Sequence, residues 1–237
     1  MVRRASPDML ASMAAARMTR SEFDAATNLP SWRVLGNVLV GDWVADGSGE
    51  AVAFAQQVAE IASAAQHHAD IDIRHPGRVR ITLSTLTAGG LTQLDADVAA
   101  RITALASASS LRSDTAVISR FEVAIDALDI SGLLPFWRAV LGYVDERPAN
   151  PADPVDALVD PMRIGPALWF QQMDAPRPQR NRVHVDISVP HDVAERRVAD
   201  AIAAGGRLLD ASHARSFWVL ADPEGNEVCV CTWQDRD

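Results

Sequence analysis

Cysteine is nearly missing from this chain. Its 237 residues include two, Cys229 and Cys231, both in the short apolar run EVCVCTW. Two residues apart on a strand they share a face, where a mutual bridge is geometrically disfavoured. A disulfide-built scaffold is thereby excluded, and a reduced, cytoplasmic protein is the simplest expectation. Long apolar runs are missing too: none approaches the roughly 20 residues of a membrane span. The opening MVRRASPDMLASMAAARMTR is basic but lacks the continuous apolar stretch of a signal peptide. Residues 1–20 therefore read as a flexible or helical lead-in, with Met18 as an alternative start. Basic residues are outnumbered: 22 Arg and Lys face 31 Asp and Glu, for a net charge of −9. That balance argues against nucleic acid and against an anionic membrane as partners. Aromatics make up 5%, so the core is expected to rest on Ala-rich helices and small-residue packing.

The length suffices for one large domain or two small ones. In the first half, WRVLGNVLVGDWVA reads as extended and GSGEAVAFAQQVAEIASAAQ as a helix with a stripe of Val52, Ala55, Val58, Ala59, Ala62 and Ala65. RVRITLSTL alternates, putting Val79, Ile81 and Leu83 on one strand face. LTQLDADVAARITALAS is a second amphipathic helix, with Thr92 as N-cap and Asp95 in its first turn. SASSLRSDTA reads as a linker. The second half holds a faint repeat: FEVAIDALDISGLLPFWRAVLGY and VHVDISVPHDVAERRVADAIAAGG share a strand–turn–helix plan, each followed by extended segments. DPEGN in the last of these is a hairpin-type turn. Two tandem units of this kind predict paired modules sharing a curved sheet.

Half of the six histidines, His67, His68 and His75, fall within nine residues. As a metal site the adjacent pair is awkward, because helix neighbours point about 100° apart and no Cys or Glu stands nearby at a zinc spacing. As surface residues at a helix end they would interact favourably with the helix dipole. As acid and base they need to face one pocket, a role imidazole suits because its ordinary pKa lies near working pH.

The run AEIASAAQHHADIDI…VRITLSTLTAGGLTQLD, with the upstream LPSWRV and FAQQVAEIA, resembles the pterin-4a-carbinolamine dehydratase family over about residues 21–108. The resemblance implies a small antiparallel sheet with helices on one face. It also implies removal of water from a 4a-hydroxytetrahydropterin by histidine acid–base chemistry, without a required metal or organic cofactor. By residue match His67 and His68 are the catalytic pair, and Asp95 orients a histidine or the pterin. Two positions depart from the family pattern. Ala69 stands where the family has proline, and Leu86 where the strand's Thr-His ends, which removes one of three family histidines. His75 stands where an aromatic is usual, and is a substrate-binding candidate that could approach the pocket from its loop.

HVDISVP, FWRAVLGY and LADPEGNEVCV resemble the glyoxalase-like, vicinal-oxygen-chelate superfamily over about residues 118–235. Paired βαβββ modules are what that resemblance implies, and metal-dependent members carry a His or Glu on each of four strands. The matching positions are Glu122, His184, Gln171 or Gln172 in place of one acid, and Cys229 in place of another. This donor set suits a hard cation poorly, although a soft metal tolerates thiolate; the reading preferred on sequence is a dry cleft with Cys229 as a small buried apolar group. A metal-free ligand pocket served by Arg177, Arg180 and Arg182 is the third reading.

The expected architecture is thus α+β: a lead-in at 1–20, a dehydratase-like domain at 21–110, a linker at 111–117 and a glyoxalase-like domain at 118–237. The expected function is a 4a-hydroxytetrahydrobiopterin dehydratase, a hydro-lyase, acting on a small pterin as a homo-oligomer. The alternatives are a glyoxalase or dioxygenase-type enzyme, or a non-catalytic binding protein acting through the second half.

Overall fold

Gly36, at φ 59°, opens the two-residue turn that folds the first extended segment back on itself. The result is a hairpin of β1 (Trp32–Leu35) and β2 (Val38–Val44). The structure, a computed structural model, describes residues 16–146, 148, 152–176 and 183–235. The chain divides between Arg120 and Phe121 into two units.

In the first unit, α1 (Arg20–Ala26) is followed by the hairpin, α2 (Ser48–Ala64), β3 (Ala69–Arg74), β4 (Arg78–Leu83), α3 (Gln93–Ala108) and β5 (Arg112–Ser113). The antiparallel sheet runs β1-β2-β4-β3, with β5 also paired to β2. Alternation works as expected in β4: Val79, Ile81 and Leu83 are fully buried, each worth roughly 1.5–3 kcal/mol. They pack with Val58 of α2, Val98 and Ile102 of α3, and the edge-to-face Trp32–Trp43 pair. The buried face of α2 is turned from the expected stripe. Val52 is 55% exposed and Ala59 is exposed, while Ala51, Phe54, Ala55, Val58 and Ala62 are buried. Phe54 sets this face, because its ring packs against Trp43.

Residues 111–117 are not a free linker. Arg112 and Ser113 pair with Val44 and Trp43, and Asp114 N–H donates to the Asp42 carbonyl at 2.8 Å. Electrostatics reinforces the join. The buried Asp42 carboxylate is met by Arg78 and by Arg80, Nε at 3.1 Å, and Arg78 reaches on to Asp114 at 2.9 Å. The lead-in is partly anchored as well: Met18 N–H donates to Leu91, and Thr19 forms a capping box with Glu22. Residues 1–15 of that lead-in lie outside the described residues.

The second unit runs β6 (Glu122–Ala127), α4 (Ile130–Leu141), β7 (Val144–Asp145), β8 (Ala157–Val159) and β9 (Ala167–Gln172). The plan then repeats as β10 (Val185–Ser188), α5 (Ala194–Ala203), β11 (Arg207–Asp210), β12 (Phe217–Ala221) and β13 (Glu227–Cys231). The modules form two separate four-stranded sheets, β6-β9-β8-β7 and β10-β13-β12-β11, rather than one shared sheet. In each, the first strand pairs parallel with the last. Both helices contribute to one core, in which Phe136, Trp137 and Val140 meet Val198, Leu220 and Val230.

Candidate functional site

The end of α2 places the first histidine. Gln66 takes a left-handed conformation at φ 51°, Gln66 N–H donates to Ser63 O, and His67 N–H reaches back to Ala62 O at 2.9 Å. These two bonds are a Schellman ending. It stops the helix and leaves His67 at 7% exposure while the next side chain, His68, is exposed. Adjacent histidines thus differ in environment because a helix cap separates them.

The start of α3 supplies the partner. Thr92 and Asp95 form a capping box: the Asp95 Oδ2 accepts Thr92 N–H at 2.8 Å, and Thr92 Oγ1 accepts Leu94 N–H at 3.2 Å. Thr85 Oγ1 donates to the same Oδ2 at 2.8 Å. The other oxygen, Oδ1, lies 2.8 Å from His67 Nε2, with both side chains buried. Asp95 is thus hydrogen-bonded to the first histidine of the pair. It has 0% exposure and both of its oxygens are engaged by neighbouring protein groups.

Leu86 begins a single 3₁₀ turn directly after Thr85 and is 55% exposed. His75 does not join the pair. It lies at the far turn of the β3–β4 hairpin, exposed, and the six residues of β3 put roughly 20 Å between it and His68. The expected approach of His75 from its loop is thereby overturned by the length of an intervening straight strand.

In the second unit, strand register decides which candidates meet. Asp186 pairs with Cys229 in the β10–β13 ladder, and Ala124 pairs with Trp169 in β6–β9. Superposing the modules by register makes Glu122 equivalent to His184, Ala124 to Asp186, and Trp169 to Cys229. Gln171 is thus not the counterpart of Cys229: it pairs with Asp126, four residues and about 13 Å along the strand from Glu122. Gln172 points to the opposite face from Gln171 and donates to the Leu128 and Met173 carbonyls. The four matched positions, already a poor donor set on sequence, are not made equivalent by the strand register.

His184, Asp186 and Cys229 do come together: one ligand atom from each lies within 4.8 Å of the others, and His184 Nε2 is 3.3 Å from Asp186 Oδ1. Glu122 lies outside this group. Burial, and then the Asp186 carboxylate to which it bonds, push the Cys229 thiol up to about 12. Asp186, unremarkable in the sequence, becomes visible only once the ladder sets it beside Cys229. Arg177, Arg180 and Arg182 lie outside the described residues.

Residues 16–105 match the family model for pterin 4 alpha carbinolamine dehydratase, and residues 122–231 match that for a glyoxalase-like domain. A protein carrying the pterin-4-alpha-carbinolamine dehydratase name in Thermomicrobium roseum is 43% identical over 79 residues, covering 33% of this chain and 84% of the relative. One from Acidobacterium capsulatum is 46% identical over 84 residues, covering 33% and 85%. Among solved structures, a transcriptional coactivator/pterin dehydratase from Brucella melitensis is 27% identical, covering 38% of this chain and 98% of that one, with TM-score 0.35. A glyoxalase/bleomycin resistance protein/dioxygenase family enzyme from Burkholderia phytofirmans is 19% identical, covering 47% and 95%, with TM-score 0.37.

Proposed function

The chain belongs, over residues 16–105, to the pterin-4a-carbinolamine dehydratase family, and on that premise we propose that its N-terminal unit removes water from a 4a-hydroxytetrahydropterin. The observation that supports this reading best is the buried His67–Asp95 pair at 2.8 Å with the exposed His68 beside it. The reaction breaks the C4a–O bond, and the departing oxygen takes up one proton to leave as water. N5 gives up one proton as the N5–C4a double bond forms. No net proton or electron is consumed, so two imidazoles in opposite protonation states suffice.

Asp95 accepts the Nε2 proton of His67, which leaves Nδ1 as the proton-accepting nitrogen, oriented by a group that keeps the ring from turning. His68, exposed to solvent, is the proton donor and is recharged from water. Leu86 can neither donate nor accept a proton, so the third family position contributes nothing to transfer here. The dehydratase chemistry requires no metal or organic cofactor. Assembly as a homo-oligomer belongs to the same reading and would be measured by light scattering. No helix among the described residues is long and apolar enough to cross a membrane.

The test is dehydration of freshly generated 4a-hydroxytetrahydropterin by the full chain, followed by absorbance against the spontaneous rate. Wild type should exceed that rate and His67→Ala should fall by about 10²–10⁴-fold. Equal turnover by the two proteins would reject the histidine mechanism.

A further inference from the structure

We propose that Arg17 is a positioning residue for the dehydratase site, clamping the loop of residues 85–92 whose two ends grip Asp95. Its catalytic consequence rests on the dehydratase reading; the clamp itself does not. The Arg17 Nη2 donates to Asn37 Oδ1 at 3.0 Å, in the turn between β1 and β2. The same guanidinium covers Gly90 so closely that a Cβ there would stand 2.8 Å from Nε and 3.3 Å from Cζ. Its Nη1 is shut off from solvent and has no acceptor among the described residues, so the contacts with Asn37 and Gly90 are what hold it. The next residue extends the contact, as Met18 N–H donates to Leu91 O at 2.9 Å. Residues 17–18 therefore lie against residues 90–91.

From the clamp a chain of hydrogen bonds leads to the histidine. Thr85 N–H donates to Gly90 O at 3.0 Å, and Gly90 N–H to Thr85 O at 3.4 Å. Thr85 Oγ1 and the N–H of Thr92, which follows Leu91, both donate to Asp95 Oδ2 at 2.8 Å. The two threonine hydroxyls meet at 2.9 Å. Both ends of the loop are thus fastened to one carboxylate oxygen, and the other oxygen of the same group meets His67 Nε2. Among the described residues Arg17 makes no hydrogen bond to Asp95 or His67, so its effect on them runs through the loop backbone. Gly90 fits this role. Unlike Gly89 at φ 66° it is not left-handed, and the three atoms nearest a Cβ at this position all belong to Arg17. Room for the guanidinium is therefore what calls for a glycine here.

The test is a double-mutant cycle in the full chain. Arg17→Ala should lower kcat on 4a-hydroxytetrahydropterin by at least about tenfold with KM unchanged, the split expected when the reacting group is misplaced. Gly90→Ala, whose methyl group drives Arg17 out, should reproduce that loss. The double variant should be no worse than either single one, because the methyl group then enters the room the guanidinium left. A second readout does not depend on turnover. In Arg17→Ala the amides of Thr85 and Thr92 should exchange with solvent at least about tenfold faster, while those of Val79 and Ile81 in β4 are unchanged. Additive losses in the double variant, a change in KM alone, or unaltered exchange at Thr85 and Thr92 would each overturn the proposal. So would loss of the fold or faster exchange throughout β4, which would make Arg17 a residue of general stability. A wild-type chain without dehydratase activity would reject the dehydratase reading instead, and the exchange rates would still decide whether Arg17 clamps the loop.

Discussion

The indole N–H of Trp137 in α4 donates to Asp222 Oδ2 at 2.9 Å, and through this bond the helix of one module is tied to the turn of the other. Asp222 is fully buried and also accepts from Glu224 N–H, Asn226 N–H and Asn226 Nδ2. Glu224, from the same turn, accepts the backbone N–H groups of Leu128 and Asp129 at the entrance to α4. Asp222→Ala should therefore cost about 3–5 kcal/mol, since it strands the buried Trp137 indole and three part-buried donors at once. Trp137→Phe, which removes one of the two donors to Oδ2, should cost about 1–3 kcal/mol. Urea denaturation followed by circular dichroism reads both, and an Asp222→Ala effect no larger than that of Trp137→Phe would show that the turn does not act as a clamp.

Asp95→Asn keeps the shape of the side chain but removes the charge that holds His67. On the proposed reading, in which Asp95 acts through His67, kcat should fall by at least about tenfold with KM unchanged. Loss of the charged cap should cost about 1 kcal/mol of stability. A change in KM alone would place Asp95 on the substrate instead.

Leu86 is exposed, so Leu86→His should alter stability by no more than about 0.5 kcal/mol. Turnover should rise, by up to about 100-fold if the restored imidazole joins the proton transfer. Unchanged turnover would mean that the turn after Thr85 no longer aims this position at the site.

Asp160 supplies a test in pH. Burial pushes its carboxyl up, but the N–H groups of Gly165, Met162 and Ile164 together prevail and hold it below the usual carboxylate range. A carboxyl depressed in the folded state stabilises the protein above its unfolded pKa of about 3.9, and that contribution disappears as pH falls through the folded value. Asp160→Asn should therefore be less stable than wild type at pH 7, with the difference shrinking below about pH 4. A constant difference across that range would remove the carboxylate's charge from the explanation.

Local pattern carried much of this molecule into view. Val79, Ile81 and Leu83 are buried as their alternation demands, and Thr92 and Asp95 cap a helix as their spacing demands. What stayed hidden depends on contacts between distant residues. The face of α2 is set by Trp43 meeting Phe54, not by helical period. The distance of His75 from the pair is the length of β3, which ends at the Pro76-Gly77 turn. Asp186 acquires significance from the register of two strands some forty residues apart. The DPEGN run shows its turn in the sequence, but its grip on Trp137 is a property of the fold.

His67 is fixed by the way α2 ends, and Asp95 by the way α3 begins. Helix ends are the parts of a fold that open first. Unwinding a single turn at either place would disarm the pair while the sheet beneath remained whole. If the pair is catalytic as proposed, the upper working temperature is set by fraying, below the temperature at which the domain melts.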